Sequence, residues 1–179
     1  MCLIIASPGG APVSEDVIIR GFADNPQGWG VMYAMDNNIE VVQGLDFGEY
    51  LMACAEAINS KCPYVIHTRW ATIGEINTEN CHPFRVQRDL YMAHNGTVRD
   101  IPITDRDMSD SWHLAQLLQR IGYTGENFND PRYIKCLEII IGTTNKVVLM
   151  NNEGRMVLAN PILWTLKDGL FYSNTESML

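Results

Sequence analysis

The sequence predicts an α+β layered domain, and three observations predict it. Apolar runs of strand length recur along the chain, a few longer stretches carry apolar residues at helical spacing, and Gly, Asn, Asp or Pro punctuates most junctions. Many strands with few helices pack as layers around one core. Strand-like runs fall at residues 2–6, 31–34, 39–42, 64–67, 90–93, 146–150, 156–159 and 170–172. Asp36-Asn37-Asn38 and Asn151-Asn152-Glu153-Gly154 suit turns, because these residue types adopt turn dihedrals at low cost. A helix is expected over 48–60, where Leu51, Ala55 and Ile58 share a face. A second, over 110–121, aligns Leu114, Leu117, Leu118 and Ile121 and stops at Gly122. A third, over 131–140, begins with Pro131, whose fixed φ suits a first helical position. Its end, 138–141, reads equally as strand. Residues 77–88 show neither period and read as a loop. No repeat, low-complexity tract or linker divides the 179 residues, so 1–179 is expected to be a single domain.

Composition narrows the function classes. Hydrophobic residues make up 46% of the chain and charged ones 19%, enough apolar material for a core and too little charge for a disordered chain. No apolar run approaches the ~20 residues of a membrane-spanning helix, so no membrane association is expected. Thirteen basic residues against twenty-one acidic ones leave a net charge of −8, so no direct nucleic-acid partner is expected. The start, Met1-Cys2-Leu3-Ile4-Ile5-Ala6-Ser7-Pro8, has no basic leader and is not expected to direct secretion. Five cysteines, at 2, 54, 62, 81 and 136, are odd in number and irregularly spaced. That favours free thiols and a reducing cytoplasm over a disulfide framework.

Four segments carry candidate chemistry. Cys2 follows the initiator methionine, which is generally removed before a small residue. The mature chain would then begin with a thiol and an α-amine on one residue, and an amine of pKa about 7.7–8.0 serves as a base near neutrality. The plain alternative is a cysteine acting as a small hydrophobe in a buried first strand. His67-Thr68-Arg69-Trp70-Ala71-Thr72-Ile73-Gly74 follows a strand-like run, and an Arg at a strand end grips a carboxylate with paired hydrogen bonds, unless it makes only a surface ion pair. Ala93-His94-Asn95-Gly96-Thr97 reads either as a hairpin turn at Asn-Gly or as an oxyanion hole, built from the Asn95 amide and the Gly96 N–H. Ser109-Asp110-Ser111 reads either as a helix cap or as a carboxylate for a substrate ammonium group. A metal site would draw on His67, His82, His94, His113 and Cys81. No C-x-x-C or H-x-x-x-H spacing occurs among them, so neither metal nor cofactor is expected.

In their order, these segments resemble the glutaminase domain of class II glutamine amidotransferases, of the N-terminal-nucleophile hydrolases. The matching stretches are Cys2, His67 to Gly74, Asn80-Cys81-His82-Pro83, His94-Asn95-Gly96 and Ser109-Asp110-Ser111. Gly28-Trp29-Gly30 and Tyr172-Ser173-Asn174-Thr175-Glu176 are similar to stretches of small stand-alone members. The resemblance implies a four-layer α/β/β/α sandwich of two mainly antiparallel sheets. It implies Cys2 as nucleophile, its own α-amine as base, and Asn95 and Gly96 as the oxyanion hole. Arg69 and Asp110 would hold the glutamine carboxylate and ammonium, and Trp70 and Thr72 would build the pocket and its closing loop. Glutamine would be hydrolysed through a γ-glutamyl thioester. With no room for a synthase domain before residue 179, a separate enzyme would accept the ammonia. The alternatives are a free-standing γ-glutamyl amide hydrolase and a catalytically degenerate module binding a metabolite or partner. One departure stands out: many members carry His where this chain has Ile73, on the loop over the glutamine site.

Overall fold

Strand pairing sorts the apolar runs into two antiparallel sheets, and helices cover their outer faces. The computed structural model describes residues 2–175. Met1, and Glu176 of the Tyr172 to Glu176 stretch, lie outside the described residues. In chain order the elements are β1 (Leu3–Ser7), α1 (Glu15–Asp24), β2 (Trp29–Met35), β3 (Asn38–Gly44), α2 (Phe47–Asn59), β4 (Tyr64–Thr68), β5 (Phe84–Gln87) and β6 (Leu90–Asn95). They continue with α3 (Asp110–Arg120), α4 (Pro131–Ile141), β7 (Lys146–Asn151), β8 (Met156–Ala159), β9 (Thr165–Lys167) and β10 (Leu170–Tyr172). One sheet has the order β3-β2-β4-β1-β10-β9 and the other β5-β6-β7-β8.

The period-2 alternation of strands explains the layering. Leu3 and Ile5 of β1 face α1 and α2, packing with Ile18, Tyr50, Ala53 and Cys54. Ile4 and Ala6 face the second sheet, packing with Ala93, Val148 and Met150. On the far side of that sheet, Leu90, Met92 and Leu149 meet Leu114 and Leu118 of α3 and Leu137 of α4. The result is the expected α/β/β/α stack of two antiparallel sheets. Because β1 is covered on both faces, all five of its residues are buried. Among the described residues, no helix is long and apolar enough to cross a membrane.

Three elements were not expected from the sequence. α1 contains Gly21 in mid-helix, which weakens its local signal. The glycine is there for packing, since a Cβ would meet Leu3 Cδ2 at 2.9 Å. β5 falls inside the expected 77–88 loop; it is four residues long and irregular in register between Arg85 and Gln87. β9 has three exposed residues. The ambiguous end of the third helix is helical, with Gly142 N–H closing onto Glu138 O at 3.0 Å. The Asp36-Asn37 turn is as expected: Met35 pairs with Asn38, and φ is 53° and 58° at the two turn residues. Asn95-Gly96 is not a hairpin. β6 pairs with β5 and β7, and from Gly96 the chain runs through 97–108 to α3.

Two stretches read separately in the sequence pack on each other. A Cβ on Gly30 would lie 1.6 Å from His82 O, and one on Gly28 would lie 2.6 Å from Cys81 Sγ. Between them, fully buried Trp29 donates from Nε1 to Asp46 O at 2.8 Å. Gln43 Nε2 donates to Cys81 O and Pro83 O at 2.6 and 3.0 Å, tying the same loop to β3. Gly30→Ala is therefore expected to lower stability by about 3 kcal/mol or more. Gly9→Ala, with nothing within 4 Å of its Cβ position, should change it by less than about 0.5 kcal/mol. Urea unfolding of the two variants checks the contrast.

Candidate active site

The pairing of β1 brings Cys2 to the end of the larger sheet. Leu3 pairs with Thr68, so Cys2 lies beside the turn that begins at Arg69. Trp70 N–H donates to Cys2 Sγ at 3.3 Å, and the thiol in turn reaches Trp70 O at 3.4 Å. Burial pushes the Cys2 thiol above its ordinary pKa, while the Trp70 N–H and the Arg69 charge act in the opposite direction. The Cys2 carbonyl accepts from two side-chain amides, Asn95 Nδ2 at 2.6 Å and Asn174 Nδ2 at 2.5 Å. Asn95 Nδ2 also donates to Ser173 Oγ at 2.8 Å.

Arg69 is buried and structurally engaged. Its Nη1 donates to Glu75 O at 2.8 Å and its Nη2 to Ile73 O at 3.0 Å, folding the 70–75 segment back over the thiol. Ala71 N–H donates to Gln27 Oε1 at 2.7 Å. Asn80, fully buried, is the hub of this segment: it donates to Glu75 O and Asp107 O and accepts from Ser109 N–H at 2.7 Å. Arg69 is thus no surface ion pair. Trp70 and Ile73 are the exposed apolar side chains of the segment, at 46% and 40%.

The second sheet supplies the opposite wall. Period 2 puts Asn95 on the inter-sheet face with Ala93, and His94 on the α3 face with Met92. Ser109 caps α3, accepting from Trp112 N–H at 3.2 Å, so the capping reading holds for that residue. Asp110 Oδ2 accepts from Val98 N–H at 2.7 Å, which ties the start of α3 to the chain just past Gly96. Cys2, Arg69, Trp70, Thr72, Ile73, Gly96 and Asp110 line one cavity. Asn95 is not among the lining residues; its amide is held on Cys2 O and Ser173 Oγ. About 20 Å³ is open within the cavity, room for roughly one water and too little for an amino acid. The structure also places Asn80, Ser173, Asn174 and Asn145 around the site. Sequence reasoning assigned them no role, and only the first three fall in stretches it quoted.

His67 and His82 stack beside the cavity with ring centroids 3.9 Å apart. All four ring nitrogens are buried without a hydrogen-bond partner. Burial, reinforced by the nearby His94 and Arg69, lowers His67 to about 3 and holds His82 well below the usual histidine value. Their ring planes are tilted by 33° to each other. Among the described residues, no group of three His, Cys, Asp or Glu is placed to hold a metal ion.

Residues 19–124 match the family model for class-II glutamine amidotransferases. Putative glutamine amidotransferase YafJ of Escherichia coli is 30% identical over 113 residues, which cover 55% of this chain and 44% of that protein. The isomerizing glutamine–fructose-6-phosphate aminotransferase of Aliivibrio fischeri is 36% identical over 73 residues, 41% of this chain and 10% of that protein. The structure of glutamine phosphoribosylpyrophosphate amidotransferase from B. subtilis, complexed with ADP and GMP, shares the fold. It has a TM-score of 0.61 and 18% identity, covering 99% of this chain and 43% of that one. The chain thus spans less than half the length of each of these proteins.

The stacked histidines set an acid limit on stability. An unfolded histidine takes up a proton near pH 6.5, whereas folded His67 does so only near 3. Stability is therefore complete above about pH 6.5 and falls as pH drops through the window down to 3, by up to ~1.4 kcal/mol per pH unit for each such group. His67→Leu should make the acid limb shallower by about one proton, read from urea midpoints between pH 7 and 4.

Proposed function

Because the chain belongs to the class II glutamine amidotransferases, we propose that it hydrolyses the side-chain amide of glutamine at Cys2 and passes the ammonia to a separate acceptor enzyme. One observation carries this reading. Cys2, Arg69, Gly96 and Asp110 come from four distant parts of the chain and line one cavity.

The chemistry begins with removal of Met1, which leaves the thiol and a free α-amine on Cys2. A thiol whose pKa is raised by burial is mostly protonated at rest, so a base is required. The α-amine takes the thiol proton, and sulfur attacks the amide carbon. The carbonyl oxygen gains the electron pair, and the Gly96 N–H and Asn95 amide stabilise it. Both hydrogens of the Asn95 amide have acceptors at rest, so the oxyanion replaces one of them. If that is Cys2 O, this carbonyl keeps the Asn174 amide as its partner. The protonated amine then gives its proton to the leaving nitrogen. Ammonia departs, and a γ-glutamyl thioester remains on Cys2. Water adds to the thioester, the amine receives its proton, and glutamate leaves as the thiol is restored.

Binding reorganises the closed loop. The substrate carboxylate takes the Arg69 donors from the Ile73 and Glu75 carbonyls, and Asp110 receives the ammonium group. Trp70 and Thr72 move with that segment to admit the substrate. Gripping both α-groups supplies orientation and discriminates against simple amides. The five free thiols support a reducing, cytoplasmic setting for this chemistry.

Intact mass of the purified protein is expected to show loss of Met1, and the protein should release glutamate and ammonia from glutamine. Cys2→Ala should lower that turnover by at least ~10³-fold with an unchanged melting temperature. Arg69→Lys, which loses the planar fork, should raise KM by about tenfold or more with a smaller effect on kcat. Full turnover by Cys2→Ala, or by protein retaining Met1, would refute the scheme.

A further inference from the structure

Asn145 is a buried polar residue that the scheme above does not use. It lies between the end of α4 and the start of β7, with 4% of its surface exposed. Its Nδ2 donates to Ile141 O at 2.6 Å, which leaves Oδ1 as the acceptor facing the site. His94 Nε2 lies 2.9 Å from that oxygen and therefore donates to it. His94 Nδ1, left as an acceptor, lies 2.7 Å from Ser111 Oγ. Burial keeps the His94 ring below its ordinary pKa, and the nearby Asp110 and Asn145 only partly oppose this, which fits a neutral ring with one donor and one acceptor nitrogen. The chain Ile141–Asn145–His94–Ser111 thus joins α4, the connection before β7, β6 and α3 through fully matched donors and acceptors.

The same Oδ1 presses on the oxyanion turn. A Cβ at Gly96 would lie 2.0 Å from it, so Gly96 rests directly against the Asn145 amide at φ 139°. Beyond Asn145 lies a larger cavity of about 550 Å³, walled by the 97–101 segment and the end of α4. Asn145 lines this space and meets Gly96 with its amide oxygen. Asn160 Nδ2 donates to Asn145 O and Gly142 O, both at 2.7 Å, and fixes the Asn145 backbone in place.

We infer that Asn145 is a positioning residue: its amide oxygen sets the backbone at Gly96, and so the aim of the Gly96 N–H, while its bond to His94 keeps the start of α3 in register with that turn. This rests on the functional reading above and adds to it a residue that touches no substrate. The role belongs to the transition state, because only there does oxygen carry the charge the turn is aimed at.

The test uses the full chain with Met1 removed. Asn145→Ala takes the amide oxygen away from Gly96 and should lower kcat for glutamine hydrolysis by about 10²-fold. KM should stay within about threefold, and the Kd for glutamate, which carries no tetrahedral oxyanion, within about twofold. Asn145→Asp keeps the oxygen that His94 and Gly96 contact and should retain kcat within about tenfold. Should Asn145→Ala not fold, Asn145→Ser carries the same expectation. The inference is overturned if the Ala or Ser variant keeps kcat within about threefold of the parent. It is equally overturned if glutamate affinity falls in step with kcat and Asp restores neither, the pattern of general structural damage. Absence of turnover in the unsubstituted protein removes the functional reading and this inference together.

Discussion

Asn95 donates both hydrogens of its side-chain amide across the gap between the sheets, to Cys2 O and to Ser173 Oγ. Elsewhere the two sheets meet through apolar side chains such as Ile4, Ala6, Ala93 and Val148. Apolar contact is strong but non-directional, and it tolerates small displacements. A buried amide with two fixed acceptors does not. Ser173 completes the clamp by accepting from Ile4 N–H through its hydroxyl, while its own N–H donates to Ile4 O. The end of β1, the end of β10 and the end of β6 are thereby locked at one point, and the candidate nucleophile lies at that point.

Around the clamp, the site is assembled from close approaches of backbone. Gly28 and Gly30 let β2 lie against Cys81 and His82, and Gly96 lets the end of β6 lie against Asn145. In each case a side chain would occupy space already filled by another atom. Such contacts leave the intervening groups little freedom.

Polarity is handled in two ways in the same small volume. The His94 ring has a partner for each nitrogen. The stacked His67 and His82 rings have none. Both states keep imidazole neutral, the first by satisfying it and the second by excluding water. Arg69, beside them, retains its charge by donating to loop carbonyls. That arrangement ties the 70–75 segment down over the cavity. The exposed Ile73 lies on this loop and contributes its backbone carbonyl to Arg69. Its carbonyl, unlike its side chain, is therefore indifferent to whether the position is Ile or His.

Local sequence determined much of this protein. The strand runs, the three strongest helices and the Asp36-Asn37 turn are encoded in periodicities and dihedral preferences that act over a few neighbouring residues. Cys2, Arg69, Asn95, Gly96 and Asp110 stood out as candidates only together, because their order matches a family; each type singly is common in cores, turns or caps. Tertiary structure decided the rest. Gly21 makes sense inside α1 only once Leu3 lies against it. Asn145 gains its meaning from His94 and Gly96, which it meets only in the folded chain. Short-range rules cannot register a contact that far along the sequence, because packing alone brings its partners within reach.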